Sequence, residues 1–151
     1  AKIIKNFKIL NGKDWVIEHY LNKNYPEYTA TIIRLEKFEK ICIFRRRLHK
    51  LGHTMYAETF RNIKIENQLI EIAKKINLNG CINIQFKIIN NKIKIFDINP
   101  RLSSTVRMRD IIGFQDCIWW IKNTLNINFS KNIKILKNKK IIKSFEEKII
   151  N

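Results

Sequence analysis

Gln85, Asp97 and Asn99 are the side chains whose types and spacing suggest chemistry, carried on two β-rich runs, residues 81–89 and 93–98. Asn90, Asn91 and Lys92 lie between the runs and read as the turn of a hairpin. Side chains alternate across a strand, so the length of this turn decides which residues share a face. With a three-residue loop, Ile89 falls opposite Ile93 and Gln85 directly across from Asp97, and Asn99, two residues on, joins them. A two-residue loop would turn Gln85 to the other face, so this reading requires a loop of odd length. One carboxylate and two amides at one end of a sheet make a hard oxygen set of the kind Mg²⁺ takes up beside phosphate oxygens. Pro100 and Arg101 follow at once, then Leu102, Ser103, Ser104 and Thr105. The proline stiffens a turn that presents a guanidinium next to the oxygens, where its planar fork suits a phosphate or an acyl-phosphate. Taken alone, Asp-Ile-Asn-Pro-Arg also reads as an ordinary turn with a solvated arginine.

The elements that must position these groups follow from the patterning. Residues 16–21 (VIEHYL), 27–35 (EYTATIIRL) and 41–45 (ICIFR) are rich in β-branched and aromatic residues and read as strands, with 36–40 as the turn between the last two. Residues 46–60 lack clean periodicity and read as a loop with short strand character around 55–59. From Asn62 to Ile76 the apolar residues recur at three-and-four spacing, which predicts a helix stopped by Asn79 and Gly80. Further helices are expected over 105–112 and 115–125, and an edge strand with a frayed tail after Asn128. Antiparallel hairpins with packed helices make an α+β fold, with residues 1–128 as one domain and 129–151 as a basic extension.

Composition sets the remaining bounds. A chain of 151 residues with 45% apolar content can bury one core. No run of apolar residues is long enough to span a membrane, and no apolar leader ends in small residues, which predicts a cytoplasmic protein. Cys42, Cys81 and Cys117 fit neither a disulfide framework nor a zinc site and read as buried thiols. Thirty Lys and Arg against thirteen Asp and Glu give a net charge of +17. Such a charge raises a second reading, a basic nucleic-acid-binding module. The lysines are spread along a chain heavy in Lys, Ile and Asn, as strongly AT-biased coding would produce, so diffuse bias is favoured and nucleic acid is not expected as a partner. Glu18 and Glu27 also read as solvated strand ends, Trp119 and Trp120 as core, and Arg45 to Arg47 either as a solvated strand end or as a contact for an anionic substrate.

The runs GCINIQF (80–86), IFDINPRLSST (95–105) and GFQD (113–116) resemble, in order and spacing, the metal-binding hairpin and following loop of the ATP-grasp ligases. The likeness is greatest to the carbamoyl-phosphate-synthase-like branch and covers roughly residues 16–125. It implies the C-terminal subdomain of an ATP-grasp fold, with ATP and Mg²⁺ (or Mn²⁺) as cofactors. By this resemblance Gln85, Asp97 and Asn99 are metal ligands, Asp97 standing where the family commonly has Glu, and Arg101 holds the transferred phosphoryl group. Residues 16–21 resemble the hinge strand on which adenine lies. Glu18, His19 and Leu21 would then meet the base and Glu27 the ribose hydroxyls. The family's other subdomain supplies a lysine-bearing strand and a Gly-rich phosphate loop, and the glycines here, at 12, 52, 80 and 113, are too scattered to make one. The resemblance therefore implies a partner subdomain upstream, a small carboxylate substrate, and an isolated chain with little activity. A degenerate, non-catalytic ATP-grasp domain is a further reading.

Overall fold

The computed structural model describes residues 20–144. Its centre is a six-stranded antiparallel sheet of order β5-β4-β1-β2-β3-β6. The strands are β1 (Glu27–Leu35), β2 (Phe38–Leu48), β3 (Thr54–Phe60), β4 (Gly80–Ile89), β5 (Lys92–Asn99) and β6 (Lys140–Ile142). Helix α1 (Ile63–Lys75) lies on one face, and α2 (Val106–Ile111) and α3 (Asp116–Thr124) lie on the other. The α+β architecture is as the hairpin and helix patterns implied.

Alternation along β1 builds both layers at once. Tyr28, Ala30 and Ile32 join Ile82, Ile84 and Phe86 of β4 under Ile65, Leu69 and Ala73 of α1. Ile33 and Leu35 point the other way, to Cys42, Phe44, Met108, Phe114 and Trp119. Each fully buried Ile or Phe side chain contributes about 1.5–3 kcal/mol, so the two layers hold the central strands firmly. The expected helix over 62–76 is present with its ends moved inward by one residue. Asn62 caps it by accepting from the Ile65 amide at 3.2 Å. Asn77, at φ 49, ends the helix, and Gly80 instead opens β4 beneath Trp120.

Further expectations are corrected, among them the turn over 36–40, which is only residues 36–37 because β2 begins at Phe38. The stretch 46–60 is mostly strand, because β2 runs on to Leu48 and β3 pairs with it from Thr54, leaving only 49–53 as loop. Cross-strand partners, with Ala57 buried against Phe44, supply the order that periodicity did not reveal. The hairpin loop has two residues: Asn90 and Asn91 both sit at positive φ, 50 and 59, and Ile89 pairs with Lys92. Asparagine tolerates this left-handed conformation, and a turn with two such residues matches the twist of the flanking strands.

Residues 129–144 lie against the α2/α3 layer, with Phe129, Ile133, Ile135 and Ile141 on its core and β6 on the β3 edge. Among the described residues no helix is long and apolar enough to cross a membrane. Cys42 and Cys81 are buried, as expected, while Cys117 is half-exposed. Burial pushes both buried thiols up to about 12. A raised folded pKa stabilises the protonated form, so this contribution is present below the unfolded value of about 8.5 and is lost as pH rises toward 12. At pH 8 a thiol reagent is expected to modify Cys117 alone in the native chain and all three after denaturation. Fast labelling of Cys42 or Cys81 in the native chain would contradict this.

Candidate functional site

The hairpin reaches the geometry that an odd loop would have given, by a different route. From the two-residue turn the register runs Ile88 to Ile93, Lys87 to Lys94 and Phe86 to Ile95, then shifts so that Gln85 pairs with Asp97 and Asn83 with Asn99. Phe96 is the extra residue, a β-bulge. The bulge reverses the alternation: Ile93 and Ile95 face the α1 layer, and Asp97 faces the opposite side, level with Gln85. In a regular strand Asp97 would share the Ile95 face. The structure therefore brings Gln85, Asp97 and Asn99 together, although the loop requirement was wrong.

A row of polar side chains crosses the sheet on that face. Thr29 on β1 pairs with Gln85, and its hydroxyl donates to Asn83 Oδ1 at 2.7 Å. Glu27 pairs with Lys87 on one side and Arg46 on the other. From β2, Arg46 reaches diagonally over β1. Its Nη2 donates to Gln85 Oε1 at 2.5 Å and to Glu27 Oε2 at 3.3 Å, and its side chain is only 9% exposed. Burial lowers the Arg46 pKa from its ordinary value, against the opposing pull of Glu27 and Asp97. Asn99 Nδ2 donates to Asp97 Oδ2 at 2.5 Å, which leaves the amide oxygen of Asn99 as its acceptor.

Lys87 is buried on this row. Its Nζ donates to the carbonyls of Leu21 and Asn22 at 3.3 and 3.1 Å and lies 3.8 Å from Glu27 Oε1. One ammonium thus ties the segment at Leu21 to the polar row. Glu18 and His19 lie outside the described residues, while Leu21 and Glu27 are both within reach of Lys87.

The loop after β5 is anchored from beneath. Arg101 is exposed at its crest, with Nη1 donating to the Leu102 carbonyl at 3.1 Å. Below it, Arg109 Nη1 donates to both Ser103 Oγ and Thr105 Oγ1 at 2.7 Å. The other edge of the Arg109 fork grips Asp116 Oδ2 at 2.6 and 3.2 Å, and both side chains are 1% exposed. A cavity of about 270 Å³ opens between this loop and the sheet, lined by Thr29, Arg46, His53, Gln85, Arg101 and Ser104 among others. A second, of about 410 Å³ and lined in part by Glu27, shares Arg46 with it.

The donor set fits a hard divalent cation. Gln85, Asp97 and Asn99 offer oxygens only, and among the described residues no cluster of His, Cys, Asp and Glu could hold a softer metal. Arg109, Asp116 and Lys87 were missed in the sequence. Asp116 closes the GFQD run but was given no role there, and Lys87 left a signal of its own: it stands two residues from Gln85 on the same strand face within an apolar run. Arg46 is separated from its neighbours only here, where Arg45 pairs with Glu58 on the exposed side and Arg47 stacks on Tyr56.

Comparisons agree with this architecture. The family model described as ATP-grasp in the biosynthetic pathway with Ter operon matches residues 11–145. The carbamoyl phosphate synthase large chain of Buchnera aphidicola subsp. Acyrthosiphon pisum is 44% identical over 43 residues, which is 28% of this chain and 4% of that protein. Two solved structures share the fold with TM-scores of 0.62. The phosphoribosylaminoimidazole carboxylase ATPase subunit from Aquifex aeolicus is 12% identical over 78% of this chain and 38% of its own. The N5-carboxyaminoimidazole synthetase from Staphylococcus aureus, complexed with ADP, is 18% identical over 83% and 36%. The chain thus spans well under half the length of each of these relatives. With the antiparallel sheet, the bulged hairpin and a family match over nearly its whole length, this chain belongs to the ATP-grasp family.

Proposed function

We propose that this chain forms the metal-facing half of an ATP site in an ATP-dependent ligase that activates a small carboxylate as its acyl-phosphate. The observation that carries this reading is the convergence, across the Phe96 bulge, of Gln85, Asp97 and Asn99 beside Arg46 and the anchored Arg101 loop. A relative named a synthetase and complexed with ADP supports the nucleotide.

In this reading Asp97, Asn99 and Gln85 hold one or two Mg²⁺ or Mn²⁺ ions, which neutralise phosphate charge when bound. Arg101 meets the phosphoryl group as it passes from ATP to the substrate carboxylate, before an amine or similar nucleophile displaces phosphate. Leu21 offers its backbone amide to adenine, its carbonyl being held by Lys87, and Glu27 accepts from the ribose hydroxyls. Glu18 and His19 complete the base contacts. Phosphoryl transfer of this kind relies on positioning and electrostatics, which suits a site of ligands and cations without a nucleophile.

The test is amide NMR of the chain with millimolar ADP and a trace of Mn²⁺. The resonances of Gln85, Asp97 and Asn99 are expected to broaden first, because the paramagnetic ion sits among them. Broadening centred on other carboxylates, such as Glu36 or Glu71, would overturn the assignment.

A further inference from the structure

We propose that Arg46 is the resident cation of this site: it holds the Gln85 oxygen against a bare divalent ion, so the ion enters only together with its phosphate chain. The inference rests on the assignment of Gln85, Asp97 and Asn99 as ligands, and concerns how they are filled.

Three observations carry it. The Gln85 oxygen that would ligate the ion already accepts from Arg46 Nη2 at 2.5 Å. A metal ion on that oxygen would stand beside a guanidinium that is fixed by Glu27 and nearly buried, at 9% exposure, so the two positive groups compete for one place. The surrounding charge also disfavours a free dication. Arg46, Lys87 and Arg101 are three cations against two carboxylates, Glu27 and Asp97, so the row is net positive before any ion arrives. Asp97 is the sole carboxylate of the ligand set, too little charge to draw a bare ion but enough to complete the shell of one that carries phosphate oxygens. Finally, Arg46 Nε is buried and has no hydrogen-bond partner among the described residues. A guanidinium displaced from Gln85 has N–H groups ready for the phosphate that accompanies the ion, in a cavity that Arg46 itself lines with Arg101 and Ser104.

Arg46 thereby acts as a specificity-determining residue for the form in which the metal is taken. The order matters chemically: a site that rejects the free ion but accepts its nucleotide complex does not fill with metal in a geometry that excludes ATP.

The experiment measures Mn²⁺ alone, by the loss of the free-ion electron paramagnetic resonance signal, on the 151-residue chain and its variants. Arg46→Met is expected to bind Mn²⁺ about tenfold more tightly than the wild type. Arg46→Lys keeps the charge but loses the fork, and should fall between them. Arg47→Met removes the same charge from a residue stacked on Tyr56 and should match the wild type. The gain of Arg46→Met should vanish when Gln85→Ala is added. Equal affinity in wild type and Arg46→Met, including undetectable binding by both, overturns the proposal, as does an equal gain from Arg47→Met. Failure of the metal assignment itself reads out separately, as Mn²⁺ broadening with ADP away from Asp97.

Discussion

Replacing Asp116 by alanine is expected to destabilise the chain by about 3–5 kcal/mol, because it leaves the Arg109 charge buried without its counterion. Small domains are stable by only about 5–15 kcal/mol, so about a fifth or more of the total is at stake. The reason is structural. Arg109 and Asp116 are each 1% exposed, and the carboxylate accepts from both Nε and Nη2. The same guanidinium holds Ser103 and Thr105, so its loss of anchorage also frees the loop that carries Arg101. Urea unfolding followed by tryptophan fluorescence measures the effect, since Trp119 packs in the adjoining core. Removing both charges together, Arg109→Met with Asp116→Leu, should recover much of the loss, because no buried charge then remains. A midpoint for Asp116→Ala close to wild type would show that the pair contributes little.

Changing Asp97 to asparagine is expected to weaken binding of Mn²⁺ with ADP on the order of 100-fold, or about 2.7 kcal/mol. The substitution keeps the shape and removes only the charge, and Asp97 is the one carboxylate of the proposed ligand set. It should leave the fold intact, since Asp97 is half-exposed at the end of β5 and accepts its side-chain hydrogen bond from Asn99. Asp97→Glu retains the charge with one more methylene and should bind within a fewfold of wild type. Unchanged affinity in Asp97→Asn, with an unchanged unfolding midpoint, would remove Asp97 from the site. A fall shared equally by Asp97→Glu would point to shape and not charge as the requirement.

Most residues of the candidate site were singled out in the sequence, while the way the fold brings them together was not. Gln85, Asp97, Asn99 and Arg101 announce themselves by type and by closeness along the chain, because oxygen ligands and a guanidinium packed into one turn are unusual on a β-hairpin. Local pattern also determined the α+β class, the α1 helix and the strands over 27–35 and 81–89, since alternation and three-and-four spacing are properties of neighbours in the chain. The turn length was misread because Lys92 suits either a loop end or a strand start. The bulge at Phe96 has no sequence mark at all: an aromatic residue in a β-run looks regular until its partner strand is known.

What only the tertiary structure decided are the contacts between residues far apart in sequence. Arg46 lies 39 residues from Gln85, and Lys87 lies 66 from Leu21. Which of three consecutive arginines turns inward depends on the register of β2 against β1, which sets Arg46 opposite Glu27. The sequence by itself determined the chemical character of the hairpin and the loop behind it. The folded sheet decided that Asp97 faces Gln85, that Arg46 stands between Gln85 and Glu27, and that a buried ion pair holds the Arg101 loop in place. The physical reason is that side-chain direction alternates with every residue. A single bulge or a one-residue shift of register reverses it, and only the pairing of strands fixes where such a shift falls.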